Sequence, residues 1–135
     1  MGNLVDHARS SAQKFGGIET DYYRLHEFMD CSKLFLADWR HRALLHTTFG
    51  MYLAEKWVFG HTYKRESDGV EVPTRLLVEQ HILEDLRAIL TPAEFLREMP
   101  LRPWMNGLTS RQRERLRALT IKDDEATATG ESEAP

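Results

Sequence analysis

The chain has 135 residues, which is enough for one domain of ordinary size with a buried core. It is 41% hydrophobic and 29% charged with a formal net charge of -3. This composition predicts a globular protein and disfavours nucleic acid as a partner, because nucleic-acid-binding surfaces normally show a basic excess. The single cysteine, Cys31, excludes an internal disulfide and every cysteine-based zinc pattern.

The distribution of apolar residues argues against a membrane partner. The first residues lack both the basic and the apolar region of a signal peptide, and no run approaches the roughly 20 apolar residues of a membrane span. One cysteine in such a chain fits a reducing environment. We therefore expect a cytoplasmic protein.

Two helices are predicted before residue 32. Small and apolar residues recur at helical spacing from Leu4 to Phe15, and the Gly16-Gly17 pair supplies the stop. Thr20 is a suitable N-cap for a second helix from Asp21 to about Asp30.

The stretch from Ser32 to Phe59 is interrupted by one glycine, Gly50, and by no proline. It is apolar over much of a helix circumference, which predicts one long central helix. A glycine inside a helix costs roughly 1 kcal/mol relative to alanine. Gly50 therefore indicates that another helix or a ligand approaches the backbone closely.

The elements after the long helix are shorter. Residues 60–73 contain a Ser-Asp-Gly turn between two alternating segments, which predicts a small β-hairpin or loop insertion. Further helices are predicted from Thr74 to Ala88, from Thr91 to Glu98, and from about Thr109 onward.

These elements predict a mainly α fold, a single-domain helical bundle around the long central helix. The domain is expected to cover residues 1–120. Residues 121–135 are acidic and poor in apolar side chains, which predicts a disordered tail.

Histidines and carboxylates recur at the spacings that place two side chains on one helix face. His26 and Asp30 are four residues apart, as are His81 and Asp85, and Asp38 lies three residues before His41. Helical bundles build metal sites from such pairs, and a set without thiolate suits Zn, Mn, Fe or Ni. An ordinary hydrogen-bonded pair explains each spacing equally well. The candidate metal ligands are His26, Asp38, His41, His81 and Asp85.

His41 and His46 cannot share a face of one continuous helix, because five residues turn it by about 140°. His41 shares its face with Asp38 and is the preferred ligand, which leaves a structural role for His46. Arg40 and Arg42 lie in the same segment. They either pair with nearby carboxylates or bind an anionic group beside a metal.

Several segments resemble a family of small uncharacterised bacterial and bacteriophage proteins grouped as a domain of unknown function. They are DHARSSAQKFGG, HEFMDCSKLFLADWRHRALLHTTFG, VPTRLLVEQHILEDL and TPAEFL, in that order, and the resemblance covers about residues 5–105. It implies a prokaryotic or phage origin and a cytoplasmic location, and it carries no activity.

Two functions fit these observations. The first is a helical domain with one divalent metal that hydrolyses an anionic substrate. It resembles helical metal-dependent phosphohydrolases in outline but lacks their adjacent His-Asp pair, since only Asp6-His7 is present, in reversed order. The second is a non-catalytic interaction or assembly module, working as a homo-oligomer or with a protein partner, in which the polar clusters are structural.

Overall fold

The computed structural model describes residues 3–131 and divides into two compact units, Met1–Glu98 and Met99–Pro135. The predicted domain of residues 1–120 with a tail at residues 121–135 stays a prediction. The α-helices are α1 Leu4–Phe15, α2 Tyr23–Asp30, α3 Arg42–Leu45, α4 Thr48–Leu53, α5 Thr74–Leu86, α6 Pro92–Leu96 and α7 Ser110–Glu131. Strands β1 Thr62–Lys64 and β2 Glu71–Pro73 complete the regular structure. The prediction of a mainly helical fold with a small hairpin is confirmed.

The first two helices begin and end where local chemistry dictates. The side chain of Asn3 accepts from the backbone N–H of Asp6 at 3.0 Å, which caps α1. Gly16 ends this helix with a positive φ of 87°. A 3₁₀ turn, Glu19–Tyr22, leads directly into α2. α1 has the predicted bounds, whereas α2 begins at Tyr23 rather than Asp21, and Thr20 lies inside the 3₁₀ turn instead of capping a helix.

The prediction of one long helix from Ser32 to Phe59 is wrong. The segment consists of 3₁₀ turns at Cys31–Leu34 and Trp39–His41, then α3, α4 and a π-helical turn at Ala54–Val58. Asp38 interrupts it. The Asp38 backbone is extended, and its side chain accepts from the Arg40 N–H at 2.8 Å, which starts a new turn. The apolar residues there do not form one buried stripe, since the Phe35 residue is 86% exposed.

A chain reversal at His46 and Thr47 separates α3 from α4. Thr47 is extended, and the N–H of Thr48 donates to the Leu90 carbonyl at 2.9 Å, so the new helix starts in a different direction. A Cβ built on Gly50 would overlap the backbone carbonyl of Leu45. The close neighbour expected at Gly50 is therefore the last turn of α3.

The hairpin and α5 complete the first unit. β1 and β2 pair antiparallel with Tyr63 opposite Val72, and both side chains are buried. α5 follows β2 without a break and ends at Arg87, which has a left-handed φ of 59°. The buried apolar core comprises Ala8, Tyr22, Leu25, Met29, Leu45, Met51, Ala54, Tyr63, Val72, Leu77, Val78 and Ile82.

The second unit contains a 3₁₀ turn, Pro103–Asn106, and α7. α7 extends through residue 131, and the last four residues of the predicted tail, 132–135, lie outside the described part of the chain. Among the described helices, none combines the length and the apolarity that a membrane crossing requires.

The predicted dispensability of the C-terminal residues is directly testable. Deleting residues 122–135 removes a polar segment with five acidic residues, and the core that the structure describes lies outside that segment. We expect the melting temperature to fall by less than about 4 °C, the shift that about 1 kcal/mol produces in a domain of this size. Differential scanning calorimetry measures it, and a larger fall would show that the segment packs.

Candidate metal centre

The first unit buries an unusual share of its histidines. Five of the six have their rings almost completely enclosed, and His61 alone lies at the surface. A buried imidazole needs hydrogen-bond partners or a ligand, because an unpaired buried polar group costs about 1 to 3 kcal/mol. The five buried histidines are His7, His26, His41, His46 and His81.

Four of the buried side chains converge on one point. Asp30 comes from the end of α2, His46 from the reversal before α4, and His81 and Asp85 from successive turns of α5. One ligand atom from each lies within 4.8 Å of the other three. The 56 residues from Asp30 to Asp85 therefore fold so that three separate elements supply one cluster.

The separations within this cluster suit a shared cation. The two histidine Nε2 atoms are 3.0 Å apart, and His46 Nε2 lies 2.9 Å from Asp85 Oδ2. His81 Nε2 lies 3.4 Å from an oxygen of each aspartate, and His46 Nε2 lies 3.5 Å from Asp30 Oδ1. Ligands at about 2.0 to 2.1 Å from tetrahedral zinc lie about 3.3 to 3.4 Å from one another. Neighbouring ligands of an octahedral ion lie about 3 Å apart.

The centre is enclosed on most sides. His46 and His81 are fully buried, and the side chain of Asp85 is 4% exposed. Asp30 is the most accessible ligand, with 16% of its side chain exposed. It lines a surface depression of about 540 Å³ that also includes His26 and Lys33. This depression is the side from which water or a small ligand reaches the ligand set.

Unpaired polar atoms concentrate at the same place. Among the described residues, seven buried side-chain nitrogen or oxygen atoms have no hydrogen-bond partner. Three belong to Asp30, His46 and Asp85, and two belong to His7 and Arg42, which lie beside Asp85. One of the seven is Asp30 Oδ1, which is itself a ligand atom. A bound cation would satisfy this oxygen.

Hydrogen-bonded side chains extend outward from His81. His81 Nδ1 lies 2.8 Å from His26 Nδ1, and His26 Nε2 lies 2.8 Å from Ser11 Oγ. Ser11 Oγ in turn lies 2.7 Å from Gln80 Oε1. Histidines that bind metals usually have such a partner on the second ring nitrogen, and it holds the ring in place.

The other oxygen of Asp85 also has neighbours. Asp85 Oδ1 lies 3.2 Å from His7 Nε2 and 3.9 Å from Arg42 Nη2. Arg42 also stacks over the ring of Trp39 with its Cζ atom 5.7 Å from the ring centroid. Asp85 is thus held from two sides while its second oxygen, Oδ2, faces the two ligand histidines.

The electrostatics keep the carboxylates ionised and most of the histidines neutral. Burial lowers the pKa of His26 to about 3, and burial also lowers the pKa of His46. Burial opposes charge on His81, but the nearby carboxylates of Asp30 and Asp85 outweigh burial and raise its pKa. Burial raises the Asp30 pKa, but His81 and Lys33 more than offset this and bring it down to about 2. A metal would therefore compete with a proton for His81.

The lowered pKa of His26 predicts a pH dependence of stability. A folded-state pKa near 3 against an unfolded value near 6.5 means that the unfolded chain takes up the proton first as pH falls. Stability from His26 is therefore lost below about pH 6.5, by about 2 kcal/mol between pH 7 and pH 5. The raised pKa of His81 acts in the opposite direction, since its contribution is lost as pH rises.

Urea denaturation with chelator present isolates the His26 contribution. The free energy of unfolding of the wild type should fall more steeply from pH 7 to pH 5 than that of His26→Leu. His81 titrates in both proteins, so the difference between the two slopes reports His26. Parallel pH profiles would show that the folded protein does not hold the His26 ring neutral.

The structure brings some of the sequence-predicted ligands together and not others. His81 and Asp85 belong to the cluster, and His26 is bonded to His81. His41 lies beside the cluster, with its ring 5.3 Å from that of His46 and its Nδ1 2.9 Å from Ser32 Oγ. Asp38 is not brought to the cluster.

Of the two arginines predicted to bind an anion, one lies at the surface and the other lies beside the cluster. Arg40 is 77% exposed and forms an ion pair with Asp38 at 2.6 Å, which also keeps the pKa of that carboxyl at about 2. Arg42 is largely buried and points toward Asp85. Only Arg42 is therefore placed beside the centre.

Two of the four clustered residues are not among the ligands that the sequence predicts. Helical phase relative to His41 predicts a structural role for His46, and the spacing of His26 and Asp30 marks Asp30 only as the partner of His26. The spacing of His26 and Asp30 was nevertheless a usable signal, because both lie on α2 and both reach the cluster. No local signal marks His46, since its position depends on the chain reversal.

Comparison with known proteins places the chain in a family. A family model described as a domain of unknown function, DUF6915, matches residues 2–105, which include the four ligands and the side chains bonded to them. No curated protein and no solved structure matches the chain. The match covers most of the sequence, and the chain therefore belongs to the DUF6915 family.

Proposed function

We propose that this protein binds one divalent transition-metal ion through Asp30, His46, His81 and Asp85, and uses it to hydrolyse an anionic substrate. The convergence of four ligand atoms from three elements supports the binding site. Two imidazoles and two carboxylates without thiolate suit Zn, Mn or Fe, whereas Ca²⁺ and Mg²⁺ prefer oxygen ligands alone.

The hydrolytic role follows from what such an ion supplies. A bound divalent metal lowers the pKa of a coordinated water to near 7 and so provides hydroxide at neutral pH. Asp30 is the ligand nearest to solvent, so water would be bound on its side of the ion. Lys33, whose Nζ is 3.4 Å from Asp30 Oδ2, and Arg42 are the nearby cations that would attract a negatively charged substrate.

A non-catalytic interaction module is the second candidate, and two observations favour it. Structural zinc sites typically have four protein ligands, and this centre has four, three of them almost completely buried. The 3₁₀ turns after α2 expose large apolar side chains, with Phe35 86% and Trp39 69% exposed. In this case the metal would stabilise the fold and leave the chemistry to a partner.

Elemental analysis of protein purified without an affinity tag tests the metal site. We expect about one Zn, Mn or Fe per chain, and a lower melting temperature after dialysis against a chelator. Metal-free protein is then reloaded with each ion and assayed with p-nitrophenyl phosphate and bis(p-nitrophenyl) phosphate. Turnover that requires the metal supports the hydrolase, a bound metal without turnover supports the interaction module, and no bound metal overturns the site.

A further inference from the structure

Three hydrogen bonds connect His81 to Gln80 through His26 and Ser11, and each of them can hold only one proton. The links are His81 Nδ1 to His26 Nδ1, His26 Nε2 to Ser11 Oγ, and Ser11 Oγ to Gln80 Oε1, at 2.8, 2.8 and 2.7 Å. His26, Ser11 and His81 are fully buried and Gln80 nearly so. Which atom donates in each bond is therefore set by the other hydrogen bonds of the series rather than by solvent.

Gln80 provides a fixed end. Its side-chain nitrogen donates to the His7 backbone carbonyl at 3.1 Å and to Glu84 Oε1, and both of these partners are acceptors. Turning the amide over would place its oxygen against two acceptors, which is unfavourable. The NH₂ group must therefore face His7 and Glu84, and Oε1 must face Ser11.

The orientation of Gln80 fixes the protons on the next three groups. Ser11 Oγ has two acceptor oxygens beside it, Gln80 Oε1 and the His7 carbonyl at 3.1 Å, so its O–H points to one of them. Ser11 must then accept from His26, which places the His26 proton on Nε2. The neutral His26 ring is left with a lone pair on Nδ1, and His81 must donate to it from Nδ1.

We propose that Gln80 is a positioning residue that acts through Ser11 and His26 to hold the proton of His81 on Nδ1, which leaves Nε2 as the atom that binds the metal. The metal part of this inference rests on the proposed function. The opposite direction would place a proton on His81 Nε2, between Asp30 and Asp85, where it would exclude the ion.

The tautomer of His26 tests the relay without reference to the metal. Long-range ¹H–¹⁵N NMR of histidine-labelled protein reports which ring nitrogen carries the proton. We expect His26 to be protonated on Nε2 and unprotonated on Nδ1, in metal-free and in zinc-loaded protein alike. A proton on Nδ1 of His26 in the wild type would overturn the inference.

Matched variants test the consequence for metal binding. His26→Leu removes the acceptor for His81, and we expect zinc affinity, measured by competition with a chromophoric chelator, to fall about 10- to 100-fold. His26→Asn restores an acceptor near Nδ1 and should recover most of the loss. His61→Leu, which removes an exposed histidine paired with Glu55, should leave the affinity within about threefold.

Ser11→Ala interrupts the relay with the smallest change in volume. It should allow both tautomers of His26 and weaken zinc binding, while the melting temperature of the chelated protein reports any separate loss of stability. Unchanged zinc affinity in both Ser11→Ala and His26→Leu would overturn the positioning role. If the wild type bound no zinc, the proposed function would fail, and the His26 tautomer would still decide the direction of the relay.

Discussion

Replacing Asp85 with asparagine is expected to abolish divalent-metal binding. The Oδ2 atom of Asp85 lies 2.9 Å from His46 Nε2 and 3.4 Å from His81 Nε2. The Asp85 side chain is also less exposed than that of Asp30. The amide has nearly the same shape but no charge, and it places either a weaker oxygen ligand or an NH₂ group at the centre. We expect zinc affinity to fall by more than about 100-fold, beyond the effect of losing an outer partner.

Asp38→Asn is the matched control, because it makes the same chemical change at an aspartate that the sequence also predicted as a ligand. In the structure Asp38 lies at the surface with Arg40, so its variant should keep one metal per chain. Elemental analysis and the chelator-dependent change in melting temperature measure both variants. Loss of metal from Asp38→Asn and not from Asp85→Asn would contradict the ligand set.

Gly50→Ala is expected to destabilise the first unit severely. The added Cβ would overlap the Leu45 carbonyl, which is backbone and cannot move aside as a flexible side chain can. Relief requires α3 and α4 to separate at the reversal that holds His46. We expect a loss of about 3 kcal/mol or more in the free energy of unfolding and, in any protein that still folds, weaker metal binding.

Gly69→Ala separates the effect on the centre from simple destabilisation. Gly69 has a positive φ of 73° in the hairpin turn, and its nearest neighbour to an added Cβ is Lys64 Cε at 3.5 Å. The substitution should cost about 1 to 2 kcal/mol through backbone strain. Urea denaturation and zinc competition should show a destabilised protein with normal zinc affinity, in contrast to Gly50→Ala.

The sequence pairs the clustered side chains correctly wherever the helix it assumes is real. His81 and Asp85 are four residues apart on α5, and His26 and Asp30 have the same spacing on α2. In both cases the spacing alone places two polar side chains on one face, and both faces meet at the centre. Local geometry therefore determines these pairs before any tertiary packing is known.

The same reasoning fails at His46 because it extends one helix too far. The rotation of about 140° that separates His41 from His46 applies only to a continuous helix. His46 is instead the residue at which α3 ends, and its own backbone has ψ of 47°. The contacts that create the reversal, such as Thr48 with Leu90, join residues far apart in sequence and cannot be read from a local pattern.

The burial of the ligand histidines has a consequence for how quickly an ion is exchanged. His46 and His81 are fully enclosed, and Asp30, with 16% of its side chain exposed, is the side open to solvent, so a bound ion would leave only when the end of α2 that carries Asp30 moves away. The rate of metal loss should therefore level off as chelator concentration rises, at the rate of this local opening. An ion at the surface would instead leave faster in proportion to the chelator. In a cell, slow exchange would keep each molecule loaded with the ion that it acquired while folding.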